Sequence, residues 1–519
     1  MANTPIEIDG EHLSLHDVVQ VAHNKVHVHL AATARQRVTQ SQAWVEDIIQ
    51  RGKPVYGINT GFGIFADKQI SPEDARTLNR NLILSHATAT GPELPAEVVR
   101  AAMLIRANTL AAGHSGARPE LIETLLAMLN QGVTPIIPSQ GSLGSSGDLA
   151  PLAQLALVMS TDAADREQDS GWAVFNGQRM SGKAAMAAAG IPRLVLGPKE
   201  GLAITNGATF SAALGALTLV LAEDLLAGCT LAAAMSLEAM QGASAALDAR
   251  LHAARKQPGQ MAVAERMRAI TEGSTLLNTA GRVQDVYSLR CAPQILGPAY
   301  DALAYVRGVI EREINAATDN PLLFDGHNGE AVSISGGNFH GEPVGMALDF
   351  LKIALSEVAA VSERRSFLLL DSKMSGGLPA MLVANEAAAG LNSGMMMLQY
   401  TAASLVLENQ TLAAPDSVRS LPTSAGQEDH NANAMTAARH AWQIAHNCAH
   451  VLAVELTLAA RALDLRLAQL PGAQPGHGTA AALAAIRQQV PFEAGDALWA
   501  PGVARIKTMI VAGELTRSV

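Results

Sequence analysis

The 519-residue chain is poor in aromatic side chains, which make up 3% of it, and it has three cysteines, Cys229, Cys291 and Cys448. Three thiols so far apart give neither a disulfide framework nor a zinc-ligand spacing, so a reducing, cytoplasmic setting is expected. A basic run is also missing. The formal net charge is −10 and the pI about 5.8, which argues against nucleic-acid binding. The start, Met1-Ala2-Asn3-Thr4-Pro5, lacks the basic residues and apolar core of a signal peptide. The longest apolar stretch, around Leu214 to Met240, is interrupted by Glu223, Asp224 and Glu238. It reads as a buried helix and not a membrane span, which needs roughly 20 predominantly apolar residues.

Hydrophobic residues are abundant at 49%, with alanine, leucine and methionine favoured over valine, isoleucine and tyrosine. That balance predicts a mainly α fold of closely packed helices. The length predicts several domains: a smaller α(+β) part over 1–200, a bundle of long helices over 201–470, and a helical tail over 471–519 after Pro471-Gly472 and Pro475-Gly476. Ile6 to Ile8 and Val26 to Leu30 read as strands. His23 and His27 are four apart, but the alternation around His27 and His29 favours an exposed strand edge over a metal site, and no metal is expected. Helical patterning covers 78–86, 97–110, 120–129, 344–370, 390–407 and 440–465. In 344–370, Leu348, Leu351, Leu355 and Val358 form one stripe; Phe350, Ile353 and Val361 lie off it, so that helix is expected to be buried on several sides or to meet another subunit. Residues 160–182 form a polar surface excursion.

One loop stands out, Gly141-Ser142-Leu143-Gly144-Ser145-Ser146-Gly147-Asp148-Leu149-Ala150-Pro151. Three glycines and three serines in seven residues suit a tight backbone path, and Asp148 stands at the N-cap position of the following helix. The glycine spacing is not a dinucleotide fingerprint, no Lys-Ser/Thr pair makes it a P-loop, and neither serine is flanked as in a nucleophile elbow. Alone, the loop reads as a structural turn. Polar clusters elsewhere weigh against that: Tyr56 in the loop from Val55 to Gly63, Thr205-Asn206-Gly207, Gly336-Gly337-Asn338-Phe339-His340, and Ser424-Ala425-Gly426-Gln427-Glu428-Asp429-His430. Gln284, Tyr287 and Arg290 at i, i+3 and i+6 would share one helical face. Polar groups in so apolar a chain are costly unless satisfied or used.

Seven ordered motifs, among them Tyr-Gly-Ile-Asn-Thr-Gly-Phe-Gly from Tyr56, the loop itself, Gln-Asp-Val-Tyr-Ser-Leu-Arg ending at Arg290, and Ser-Ala-Gly-Gln-Glu-Asp-His ending at His430, resemble the aromatic amino acid ammonia-lyase family, its histidine-specific members most of all. The resemblance spans some nine tenths of the chain. It implies a helical-bundle fold, usually a homotetramer whose active sites draw on several subunits, with no metal, nucleotide, membrane or nucleic-acid partner. It also implies that Ser145-Ser146-Gly147 cyclises to 4-methylideneimidazole-5-one: the Gly147 nitrogen attacks the Ser145 carbonyl, and Ser146 loses its hydroxyl to leave a methylidene carbon. Such a group supplies the strong electrophile that ordinary side chains lack.

By the same resemblance Tyr56 is the base for the β-proton, its pKa lowered from about 10. Arg290 clamps the substrate carboxylate. Asn206, Gln284 and Tyr287 surround the prosthetic group and the amine, and Phe339 walls the pocket. Ser85-His86 and Glu428 point to L-histidine, giving trans-urocanate and ammonia, since a carboxylate reads a ring N–H but is costly against a phenyl ring. Four features depart from the family pattern: Ser145 replaces the usual alanine, Gln154 a common histidine, Asn431-Ala432-Asn433-Ala434 a Val-Ser-Met run, and the region after Leu470 fits poorly. The alternatives are an ergothionase-like lyase expelling trimethylamine from a histidine betaine, a tyrosine or phenylalanine lyase or aminomutase, and a catalytically silent helical assembly protein.

Overall fold

A computed structural model describes residues 4–61, 63–65, 67–71, 73–326 and 330–516. Phe62 and the Met1-Ala2-Asn3 start lie outside the described residues. The fold is mainly α, as expected. Among the described residues there are eighteen α-helices, and no strand is longer than four residues.

The chain forms two compact units, each assembled from separate segments. The first comprises Met1–Leu217, Arg307–Asp349 and Pro415–Arg439; the second comprises Thr218–Val306, Phe350–Ala414 and His440–Val519. In the first, helix Ala96–Ala111 is buried at every residue from Val98 to Ala111. Its polar members are used internally: Arg100 donates to the carbonyls of Val21 and Leu129. The strands are small fittings. Ile6–Ile8 pairs in parallel with Val28–Leu30, and Leu322–Asp325 forms a hairpin with Ala331–Ile334. Residues 160–182 contain a second hairpin, Trp172–Phe175 with Gln178–Ser181, which polar composition alone did not reveal.

Several expectations are corrected. Val26 and His27 precede the strand, because Lys25 takes a left-handed conformation (φ 53°) that ends helix Leu15–Asn24, leaving His23 in its last turn. Helix Met396–Leu412 begins six residues later than the pattern's Gly390. Tyr287–Arg290 is a single four-residue turn, and extended Val286 separates it from Gln284, so the three residues do not share a helical face. In helix Glu342–Leu370 the stripe Leu348, Leu351, Leu355 and Val358 is fully buried and Val361 is buried too, but Phe350 and Ile353 are 48% and 45% exposed. Helix Thr209–Ala239 is long and apolar enough to cross a membrane, yet 72% of its most apolar window is buried.

Candidate active site

Asp148 precedes helix Leu149–Met159 as anticipated, but its side chain makes no cap bond to that helix. Its carboxylate turns instead to the first turn of helix Thr209–Ala239, accepting from Ser211 N–H at 2.8 Å and Ser211 Oγ at 2.9 Å, and from Ser142 Oγ at 2.8 Å. A carboxylate at a helix N-terminus satisfies orphan amides and meets the positive end of the dipole. Asp148 thereby ties the Gly/Ser loop to a helix start 63 residues away. Full burial nonetheless pushes its pKa up, against those hydrogen bonds.

The two glycines at this junction are fixed by close approach. Gly147 (φ 82°) and Gly207 (φ 99°) pair in parallel, Gly207 N–H donating to Ser146 O at 3.1 Å and Asp148 N–H to Gly207 O at 2.9 Å. A Cβ on Gly147 would lie 2.1 Å from Gly207 backbone, and one on Gly207 would lie 2.4 Å from Thr318 Oγ1. Only glycine fits either place. Beneath them Arg106, fully buried, donates to the Ala203 carbonyl at 3.2 Å and to Asn206 O and Thr209 Oγ1, holding the end of helix Glu200–Thr205. Burial lowers its pKa to about 10, with Asp319, Asp148 and Glu313 opposing that shift, so it stays cationic at neutral pH. Lys199 and Asp319 form a fully buried ion pair at 2.5 Å.

Above the loop a cavity of about 1180 Å³ opens in the first unit. Tyr56, His86, Ser145, Ser146, Asn206, Phe339 and Glu428 all line it, together with His340 and His430 of the polar clusters, and with Lys68 and Asn320, which sequence patterning did not single out. Asn320 is held by Gly336 N–H (2.8 Å) and by its own amide on Ser335 Oγ (3.1 Å), a hairpin tie visible only in three dimensions. Glu428 reaches the loop directly: Ser145 Oγ donates to its Oε2 at 2.5 Å and Ser146 Oγ to its Oε1 at 3.1 Å. Its backbone pairs with Thr423 across a tight turn in which Ser424 (φ 50°) and Ala425 (φ 54°) are both left-handed, a conformation that side chains resist.

The altered run beside Glu428 closes this turn. Asn431 Oδ1 accepts from Leu421 N–H at 3.0 Å, and Asn433 donates to Asp416 O and Arg419 O. Gln154 donates to Ala87 O at 3.1 Å, next to His86.

Two electrostatic findings bear on the expected roles. Burial raises the Tyr56 phenol above 10.0 and Glu428 adds to that, while a Gly63 backbone N–H pulls the other way. The lowering expected for a base is therefore not supplied by these neighbours. His86, with Ser85 Oγ 3.0 Å from its Nδ1, is shifted down by burial and favours the neutral ring.

Gln284, Tyr287 and Arg290 belong to the second unit and are not among the residues lining this cavity. There the Arg290 guanidinium stacks 4.6 Å from the Tyr287 ring, Tyr287 is 69% exposed, and the buried Nε of Arg290 has no partner among the described residues.

Comparison with known proteins bears on this architecture. Residues 13–488 match the aromatic amino acid lyase family. The chain is 48% identical to a histidine ammonia-lyase of Caldanaerobacter subterraneus subsp. tengcongensis over 93% of this chain and 92% of the relative. Among solved structures it resembles the histidine ammonia-lyase of Trypanosoma cruzi (TM-score 0.89, 34% identity, 99% and 94% covered). It also resembles the ergothionase of Treponema denticola (TM-score 0.88, 31% identity, 99% of each covered). Likeness over nearly the whole length, in sequence and in fold, places it: the chain belongs to the aromatic amino acid lyase family.

Proposed function

We propose that the protein is an ammonia-lyase that converts L-histidine to trans-urocanate and ammonia. The observation that carries this reading is the position of Glu428. Its carboxylate touches the reactive loop and shares one cavity with His86 and Tyr56, where an acceptor for a ring N–H is needed. A carboxylate there would be an expensive neighbour for a phenyl ring. Identity of 45–48% to relatives named histidine ammonia-lyase supports the same substrate.

The loop residues fit cyclisation of Ser145-Ser146-Gly147 to 4-methylideneimidazole-5-one. Gly147 has no room for a side chain, the Ser146 carbonyl is held by Gly207 N–H, and the Ser146 hydroxyl donates to Glu428. When formed, that group supplies an electrophile able to activate the amino group as a leaving group. The chain's own side chains do the rest. Tyr56 takes the β-proton, a role that needs its phenol to ionise against the burial and the Glu428 charge that raise its pKa; Glu428 and His86 hold the imidazole, Asn206 and Phe339 bound the substrate, and Arg290 holds its carboxylate as a planar, two-pronged donor.

Self-association completes the reading. Phe350, Ile353, Met397, Tyr400 and Leu407 expose large apolar surface on long helices, as a subunit interface would. A homotetramer would let Gln284, Tyr287 and Arg290 of one copy serve the cavity of another.

The test is product identity. Purified protein given L-histidine is expected to release ammonia and urocanate, whereas ergothioneine should yield no trimethylamine. Trimethylamine without ammonia would overturn the assignment.

A further inference from the structure

Glu428 engages the loop with both carboxylate oxygens, and its two partners have different fates. The Ser146 hydroxyl on Oε1 leaves during the proposed cyclisation, whereas the Ser145 hydroxyl on Oε2 stays. Oε2 otherwise receives a long contact, Thr423 Oγ1 at 3.5 Å. Ser145 is therefore the partner of this carboxylate that the proposed cyclisation does not consume.

Ser145 is well placed to act as a fixed point. It is 7% exposed, and the residues before it are tied to segments around Glu428 and His340: Asn433 N–H donates to Leu143 O at 2.7 Å, and Gly341 N–H to Gly144 O at 2.9 Å. Gly144 itself sits against Ala432 and Ala434, where a Cβ would find contacts of 3.1–3.4 Å. The departures from the family pattern at Ser145 and at Asn431 to Ala434 thus meet in one place. Ser145 bonds Glu428 itself, and Asn433 bonds the loop at Leu143, two residues before Ser145.

We propose that Ser145 is a positioning residue for substrate specificity: it holds Glu428 through Oε2, so that Oε1, freed when Ser146 is consumed, is the one acceptor presented to the substrate. A neutral imidazole carries one N–H and donates once, so a single oriented acceptor matches it. A ring without N–H leaves that acceptor bare and pays no part of its desolvation. Hydrogen bonds to ionised groups are the stronger kind, so fixing one oxygen constrains the whole carboxylate. This inference rests on the histidine-lyase reading.

The experiment uses the full chain in seven forms: wild type, Ser145→Ala, Ser145→Thr, Glu428→Gln, Ser146→Ala, and the Ser145→Ala/Glu428→Gln and Ser145→Ala/Ser146→Ala double variants. Ser145→Ala is expected to keep the two-water mass loss while KM for L-histidine rises about tenfold. Ser145→Thr, which keeps the hydroxyl, should restore KM, and in the Glu428→Gln background Ser145→Ala should add nothing. A readout independent of turnover is calorimetric binding of urocanate to the uncyclised Ser146→Ala chain, which Ser145→Ala should weaken by a similar factor. An unchanged KM, additive effects in the cycle, or retention of both waters in Ser145→Ala would overturn the inference while leaving the reaction assignment standing. No ammonia from L-histidine with wild type would overturn the assignment and this inference with it.

Discussion

Two buried charged clusters, one in each unit, spend their hydrogen bonds in opposite ways. In the second unit Arg365 and Glu455 are fully buried and joined by two hydrogen bonds (2.5 and 2.8 Å); Ser236 completes the carboxylate at 2.8 Å, and Arg365 reaches Cys229 Sγ at 3.3 Å. Side chain closes on side chain, and none of these residues lines a cavity described above. In the first unit Arg106 and Asp148 spend their hydrogen bonds chiefly on backbone and hydroxyl groups of the segments that carry the loop. Buried charge alone therefore does not mark a site. Charge that fixes the backbone beside a cavity does.

The sharpest way to separate the two regions is to remove one polar group from each. Ser146→Ala should lower kcat by on the order of 10³-fold or more and abolish the two-water mass loss, while the urea unfolding midpoint stays close to wild type. Glu455→Ala should do the reverse, costing about 3–5 kcal/mol in urea unfolding because Arg365 is left buried without its partner. Arg365→Met combined with Glu455→Leu should recover most of that loss, and if it does not, the pair is more than a closed structural unit.

A pH titration gives the next contrast. Burial, with Asp148 nearby, raises half-buried Glu313 of the first unit from 4.5 to about 7, with Arg106 opposing. The folded state then holds a proton that the unfolded chain releases, so this contribution is complete below about 4.5 and is lost as pH rises toward 7. Glu313→Gln should flatten stability across that window; an unchanged slope would remove Glu313 as its source. The smallest effect is reserved for Cys229→Ala, which removes one weak contact to Arg365 and should cost about 1 kcal/mol or less by thermal unfolding. A large loss there would make the thiol an essential member of the cluster.

The helical class, the extents of several of the longer helices and the chemical oddity of the Gly/Ser loop were legible in the residues, because periodicity and composition are local properties. The motif resemblance also named Tyr56, His86, Asn206, Phe339 and Glu428, which share one cavity. What escaped reading was tertiary choice. Asp148 has every local signal of a cap for the helix that follows it, yet it caps another, because Ser211 offers both an amide and a hydroxyl. The i, i+3, i+6 spacing of Gln284, Tyr287 and Arg290 suggested a helix too short to nucleate beyond four residues. The exposure of Phe350 and Ile353 could not be told from burial, since an interface side chain and a core side chain have the same composition.

Glu428 also sets a clock. It lies 283 residues after Ser145, and Gly207 lies 60 after Gly147, so the surroundings of the loop do not exist until most of the chain has been made. Synthesis runs from the N-terminus, and a loop emerging early must wait, open, for partners that emerge late. A chain cut short before Glu428 would carry Ser145-Ser146-Gly147 without the carboxylate that accepts from the two serines. Whether Glu428 can reach the loop is then a record of whether synthesis has passed that residue.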